Sequence, residues 1–249
     1  RNLPSLLYMK RTALLLLCAG MITAAELPSP YDADGRIAII ERFLSERRGL
    51  RLFVIDNFEG ERTYHTRAAS TQLADIQFIK RSPDSAPYRR ELDLIASRAQ
   101  PFAHEKSLFL HFSFEDPGKQ VFQVLPDHPV QIPGIPQRIS LWVNGQSTHA
   151  LVLLFQNSDG REVRVNAGRL DHAGWTRVEM TAPDLLRSRG RRLERRYTTQ
   201  FLGFVIESSP REEAGDASVM IDNLLVLTDL SELMIQGEEI PDTWGRTKR

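Results

Sequence analysis

Cysteine is almost absent from this 249-residue chain, with a single copy at Cys18. Disulfides therefore cannot staple the fold, and a Cys-based zinc cluster or a thiol nucleophile outside the first segment is excluded. Lysine is scarce as well: 5 residues against 27 arginines. Net charge is missing too, with 32 basic and 32 acidic side chains, which removes the broad electropositive field of a nucleic-acid binder. No apolar run is long enough to span a bilayer. The motif inventory is equally thin. The six histidines (65, 104, 111, 128, 149 and 172) form no HExxH and no metal-ligand spacing, there is no GxSxG elbow, and no glycine loop cradles phosphate. Acidic neighbours such as Glu59/Glu61 and Glu212/Glu213 are adjacent in sequence only, so nothing sets two carboxylates across a substrate. The expectation is a protein that is not an enzyme and carries no cofactor.

What is present begins with a leader. Met9-Lys10-Arg11 precedes Ala13 to Ile22, a stretch without charge, and Thr23-Ala24-Ala25 follows. A basic start, a short apolar centre and a small-residue end make a secretory signal peptide, with cleavage expected after Ala25 and residues 1–8 read as an upstream extension. Cys18 falls inside this segment, and Leu17 before it does not suit a lipoprotein site. Removing Arg1, Lys10 and Arg11 leaves 29 basic residues against 32 acidic ones, a mature net charge of −3. The 41% apolar fraction suffices for a core held without disulfides.

Beyond the leader the period of the hydrophobic pattern changes once. Ile37, Ile40, Phe43 and Leu44 recur at helical spacing within Asp34 to Gly49, with Asp32 or Asp34 as N-cap and Gly49 as the expected stop. From Leu52 the chain reads as strands. Leu52–Phe58 is one, and Leu108, Leu110, Phe112 and Phe114 alternate with Phe109, His111 and Ser113 in another. Val121–Leu125, Arg138–Val143, Ala150–Phe155, Val163–Val165, Gly174–Met180, Phe201–Glu207 and Val219–Leu227 follow. QIPGIP, residues 131–136, reads as a break, and Asn157-Ser158-Asp159-Gly160 as a hairpin turn. This order predicts an all-β fold, an antiparallel β-sandwich of jelly-roll type with an N-terminal helix. The expected divisions are 1–25 leader, 26–51 helical segment, 52–230 sandwich and 231–249 polar tail.

Three features invite function. Asp222-Asn223 interrupts an apolar strand; Asp222, with Asp56 or Glu59, is a weak candidate for a calcium site, against the plainer reading of a local bulge or turn partner. Arg187–Arg196 (RSRGRRLERR) holds Arg187, Arg189, Arg191, Arg192, Arg195 and Arg196 in ten residues, either a solvated loop or a patch pairing with acidic protein surfaces. Trp142 and Trp175 are either sandwich core or contact anchors.

These segments also match a recognisable order. Val54-Ile55-Asp56-Asn57-Phe58-Glu59 resembles the opening strand of carbohydrate-binding jelly rolls. Val121–Pro126, Ile132-Pro133-Gly134 and Ser140-Leu141-Trp142-Val143-Asn144-Gly145 come next. Asp159-Gly160, Gly168-Arg169-Leu170, Gly174-Trp175 and Ile221-Asp222-Asn223-Leu224 through Leu227-Thr228-Asp229 complete a pattern similar to the spirochaete flagellar filament outer layer (sheath) proteins, the FlaA family. The resemblance spans roughly Leu52 to Asp229. It implies a periplasmic structural subunit laid around a flagellin core, in contact with flagellin, other sheath proteins and copies of itself, with no nucleic-acid partner, no membrane after signal cleavage and no catalytic residues. The alternative is a periplasmic carbohydrate-binding module, which needs aromatic rings in an open row; a jelly-roll hydrolase would need facing carboxylates that the sequence does not nominate.

Overall fold

The computed structural model describes residues 32–47, 49–68, 74–96, 104–187 and 198–231. The leader with Cys18, the segment 188–197 that holds most of the Arg187–Arg196 run, and the tail from 232 lie outside the described residues. Among the described residues no helix is long and apolar enough to cross a membrane, which says nothing about strands.

Among the described residues eleven strands and three helices follow one another as α1 (Ala33–Glu46), β1 (Leu50–Asp56), β2 (Tyr64–Ala68), β3 (Ala74–Ile79), α2 (Ala86–Ala96), β4 (Ser107–Phe114), β5 (Val121–Pro126), β6 (Val130–Pro133), β7 (Ile135–Gln156), β8 (Glu162–Asp171), β9 (Thr176–Thr181), α3 (Asp184–Arg187), β10 (Thr198–Glu207) and β11 (Gly215–Asp229). Every strand pairing is antiparallel. The path runs β2-β5-β10-β7-β11-β4-β3, with β1 on β11, β6 on β10, and β8 and β9 on β7. The arrangement is the expected antiparallel sandwich.

β7 is what makes it a sandwich. Its first half pairs with β11 and β9, and its second half with β10 and β8, so one strand belongs to both layers. Arg138–Val143 and Ala150–Phe155, read as two strands, are therefore the two halves of one 22-residue strand. Gly145 and His149, which punctuate the sequence between them, sit inside it. The QIPGIP break is equally slight: Pro133 ends β6, Pro136 lies in β7, and only Gly134 is outside a strand. Gly134 has φ +72°, and a Cβ there would sit 2.3 Å from the Asp229 carbonyl oxygen, so glycine is required by both conformation and space.

Alternation fills the space between the layers. Leu108, Leu110, Phe112 and Phe114 of β4 face Phe122 and Val124 of β5, Leu151, Leu153 and Phe155 of β7, and Phe201, Phe204 and Ile206 of β10. Phe112 stacks on Phe122 at 5.7 Å, and Phe201 meets Phe155 and Phe204 at 5.6 and 5.2 Å. Each such fully buried side chain stabilises the fold by about 1.5–3 kcal/mol. The hairpin turn is as read: Asn157 Oδ1 accepts from the N–H groups of Asp159 and Arg161, and Gly160 turns at φ +82°.

Part of the outer face of the β1–β11–β7–β9 layer is covered by helices. α1 starts at an Asp32 cap, whose Oδ1 accepts from the Gly35 N–H at 2.6 Å; it buries Ile37 and packs Ile40 and Leu44 against Leu50 and Leu227. It ends at Glu46, with Arg47 as C-cap, three residues before the expected Gly49. α2 escaped the sequence reading, although Tyr88, Leu92 and Ile95 are spaced as one helical face behind Ser85, whose Oγ accepts from the Tyr88 N–H at 3.3 Å. Arg90 of α2 ties the helices together through Asp34 at 3.1 Å and Glu41 at 2.7 Å.

Candidate functional site

The outer face of this layer divides into a capped half and an open half, and Trp142, Trp175 and Asp222, singled out in the sequence, all fall on the capped one. Successive outward residues of β7 are Ser140, Trp142, Asn144 and Gln146. The first two lie buried under the helices, and the last two reach water. On β11, Met220 pairs with Asn144 and Asp222 pairs with Trp142.

Under the cap, Trp142 is 2% exposed. Its ring meets Tyr88 edge-on at 5.5 Å, and its Nε1–H donates to Glu91 Oε1 at 2.8 Å. Trp142 is thus internal, and the expectation that it contacts a partner is corrected: the α2 helix already covers it. Glu91 is 2% exposed, and its second oxygen accepts from Arg177 Nε at 2.5 Å. Arg177 Nη1 donates to Glu179 Oε2 at 2.6 Å, and Arg138 closes the chain by pairing with Glu179. Two guanidinium groups thus alternate with two carboxylates, so each buried charge has an opposite partner, the condition under which burial of ions is tolerated. Trp175 packs half-buried at the edge of the same cluster.

Asp222 is fully buried beside this network. Its Oδ2 accepts from the Tyr88 hydroxyl at 2.9 Å and its Oδ1 from the Asn223 N–H at 2.7 Å. Burial pushes its carboxyl up to about 8, and burial together with the Asp222 carboxyl pushes the Tyr88 hydroxyl above its ordinary value. Asn223 adopts φ +43°, and the register with β7 slips between Asp222 and Leu225. This is a β-bulge: one extra residue lets Leu224 and Val226 face the inner core while Leu225 and Leu227 face the helices. Asp56 and Glu59 are engaged elsewhere. Asp56 accepts from the Phe58 N–H and the Tyr64 hydroxyl, both at 2.7 Å, and Glu59 accepts from the Lys106 N–H at 2.8 Å. Among the described residues no three His, Cys, Asp or Glu side chains converge as a metal site.

The open half is a groove of about 790 Å³ across β3, β4, β11 and β7, bounded by the 211–216 connection. Phe109 and Met220, cross-strand partners, form its half-buried apolar strip. His111, Ser218, Asn144 and Gln146 flank them. At one end Ser147, 7% exposed, keeps an Oγ with no hydrogen-bond partner. Nearby, Glu212 accepts from the Thr148 N–H, which holds its carboxyl below the usual range. His149 lies edge-on to Phe114 at 4.8 Å and accepts at Nδ1 from the Ser209 N–H at 3.0 Å; burial lowers its basicity, so the imidazole stays neutral. With Nδ1 occupied as acceptor, this histidine cannot serve Ser147 as a catalytic base in a triad.

Of the interface arginines, Arg187 closes α3, while Arg189, Arg191, Arg192, Arg195 and Arg196 lie outside the described residues. The sequence reading missed Glu91, Arg177 and Glu179. The signal for Glu91 was present: a charge in register with Tyr88, Leu92 and Ile95 on a helical face announces a buried partner.

Solved structures resembling this fold include a family 11 carbohydrate-binding module of a cellulosomal cellulase from Clostridium thermocellum, at TM-score 0.41 and 8% identity over 72% of this chain and 95% of that one. A family 61 module in complex with a galactotriose aligns at TM-score 0.36 and 16% identity, over 70% and 90% of the two chains. In sequence, a putative flagellar filament outer layer-like protein of Brachyspira hyodysenteriae is 24% identical over 194 residues, 77% of this chain and 86% of its relative. The family model of the flagellar filament outer layer protein Flaa matches residues 93–237, from the end of α2 through β11. The chain therefore belongs to the flagellar filament outer layer protein family, FlaA.

Proposed function

We propose that this protein is a structural subunit of the sheath of a periplasmic flagellar filament, laid on the flagellin core and contributing to filament shape and motility. The observation that carries this reading is the family match, which runs through β4 to β11 and so through both layers of the sandwich. The architecture suits the role. A sandwich whose outer face is locked by two helices and an internal ion chain is a rigid body, and rigidity is what a lattice subunit transmits to its neighbours. The arginine run 187–196, which falls in sequence between the end of α3 and β10, supplies guanidinium forks for acidic surfaces of flagellin or of adjacent sheath subunits. The leader ending at Ala25 delivers the chain to the periplasm.

Among the described residues no aromatic side chain is fully exposed, and Val121 and Leu185 are the exposed large hydrophobics. An open row of rings, the requirement for a stacking-driven sugar module, is not found there, which favours the assembly reading. The test is purification of intact periplasmic flagella. Co-purification with flagellin, and altered filament curvature with normal growth on deletion, are expected; a protein found only in free periplasm overturns the proposal. Replacing the arginines of 187–196 by serine should release the subunit from filaments, and unchanged association removes that run from the contact.

A further inference from the structure

Alternation in Ala74–Ile79 (ADIQFI) makes β3 a half-buried strand. Ile76 and Phe78 pack on the inner core, while Asp75, Gln77 and Ile79 share the outer face. β3 ends the path of the sheet. Among the described residues only β4 pairs with it, so its other row of backbone N–H and C=O groups has no strand beside it. Such an edge is a template for another extended chain. Three other strands that pair on one side only carry features that blunt an edge. β1 slips register between Val54 and Asp56, and β2 carries the exposed His65 and Arg67. β8 breaks at Gly168, φ +99°, whose N–H is taken by Asn166 Oδ1 at 2.7 Å. β3 has no glycine, proline, lysine or register slip in its 6 residues, and its Ile76, Phe78 and Ile79 are half-buried.

Charge selects the occupant. Asp75 lies near the start of β3 and Arg81 just past its end, both exposed and both on the outer face: Asp75 opposes His111, and Arg81 lines the same groove as His111 and Ile79. Asp75 accepts from the Gln77 side-chain amide, yet neither Asp75 nor Arg81 enters an ion pair among the described residues. We infer that β3 pairs antiparallel with β3 of a second copy of this chain, about a two-fold axis at Phe78. In that register Asp75 of each copy lies opposite Arg81 of the other, Gln77 opposite Ile79, and Phe78 opposite its own copy. Only even shifts keep the outer faces together, and the register centred on Phe78 is the one that satisfies both charges. An in-register parallel pair would set Asp75 on Asp75 and Arg81 on Arg81, which is repulsive. An arbitrary extended chain would gain the backbone bonds without these two contacts. The contact is isologous, so it closes on itself and gives a dimer rather than a growing chain. One short strand pair with two charge pairs at its rim buries little area, so the dimer is weak and reversible.

The dimer needs no filament, so it and the sheath reading fail separately. Sedimentation equilibrium of the purified protein, from micromolar to submillimolar concentration, should show monomer and dimer in exchange. Asp75→Arg and Arg81→Asp each make both rim contacts repulsive. Each should weaken dimerisation about tenfold or more, with the melting temperature unchanged because both side chains are exposed. Mixing the two variants should restore the dimer, since unlike copies again set opposite charges together, and the double variant should restore it alone. Amide exchange at Ile76–Ile79 should slow as the unaltered chain dimerises. A chain that stays monomeric throughout overturns the inference. So does a dimer that both reversals leave intact, one that neither the mixture nor the double variant restores, or one whose β3 amides gain no protection. Protection of those amides only on adding flagellin would make the edge a docking strand for the filament, and equally overturns self-pairing.

Discussion

The two halves of one sheet face differ in almost everything except their strands. Along β7, Ser140 and Trp142 are sealed under α1 and α2, whereas Asn144 and Gln146, two and four residues further on, meet solvent. Along β11, the bulge at Asn223 marks the same frontier: Ser218 and Met220 line the groove, and Asp222 and Leu225 lie under the cap. The capped half spends its polar groups on itself, in Glu91, Arg177, Glu179 and Arg138. The open half leaves them outward. Burial raises the stakes of each polar group, because an interior charge without its partner has no water to turn to. The same residue types therefore carry stability on one half and are available for recognition on the other.

Substitutions that strike one half and spare the other test this contrast. Glu91→Ala should be the most damaging, since it orphans Arg177 and the Trp142 N–H together. A loss of about 3–5 kcal/mol is expected in chemical denaturation, with Glu91→Gln milder. A loss below about 1 kcal/mol would mean that the cap is not fixed by its ion chain.

Asp222 gives the capped half a pH signature. Its carboxyl titrates near 8 when folded and near 3.8 when unfolded, so between those values the folded chain holds a proton that the unfolded chain has lost. Stability from this group is therefore full in acid below pH 4 and falls as pH rises towards 8, with a slope of up to about 1.4 kcal/mol per pH unit. Asp222→Asn should remove that slope, so the variant gains on the wild type from pH 5 to pH 8. Parallel stability curves would show that Asp222 is ionised in the fold.

Smaller effects sharpen the frontier. Asp32→Ala removes the cap of α1 and should cost about 1 kcal/mol, visible as earlier hydrogen exchange in α1 than in β7. Asn144→Ala, on the open half, should change stability by less than about 0.5 kcal/mol in the same assay. A larger loss would place the groove side chains among the supports of the fold.

Much of this was legible in the residues. The alternation in Leu108–Phe114 and the Asn157–Gly160 turn need only neighbours along the chain, and both occur as read. Asp222-Asn223 reads as an interruption because a charge in an apolar strand contradicts its surroundings. What the interruption does, shifting parity so that Leu225 and Leu227 serve the helices, depends on a pairing with β7 that local pattern does not contain. Trp142 shows the same limit: its alternation with Ile139, Leu141 and Val143 places it on the outer face, but outward means solvent only if nothing covers that face, and α2 does.

Sequence alone determined most of the strands, though not β2, β3 or β6, together with their antiparallel habit, the N-terminal helix and the family, because periodicity and motif order are properties of neighbours in the chain. Tertiary structure alone decided that two apparent strands are one, that Glu91 and Arg177, 86 positions apart, neutralise each other, and which half of a sheet stays open. Those outcomes turn on which surfaces meet, and burial rather than residue type then fixes what a charge or a ring contributes.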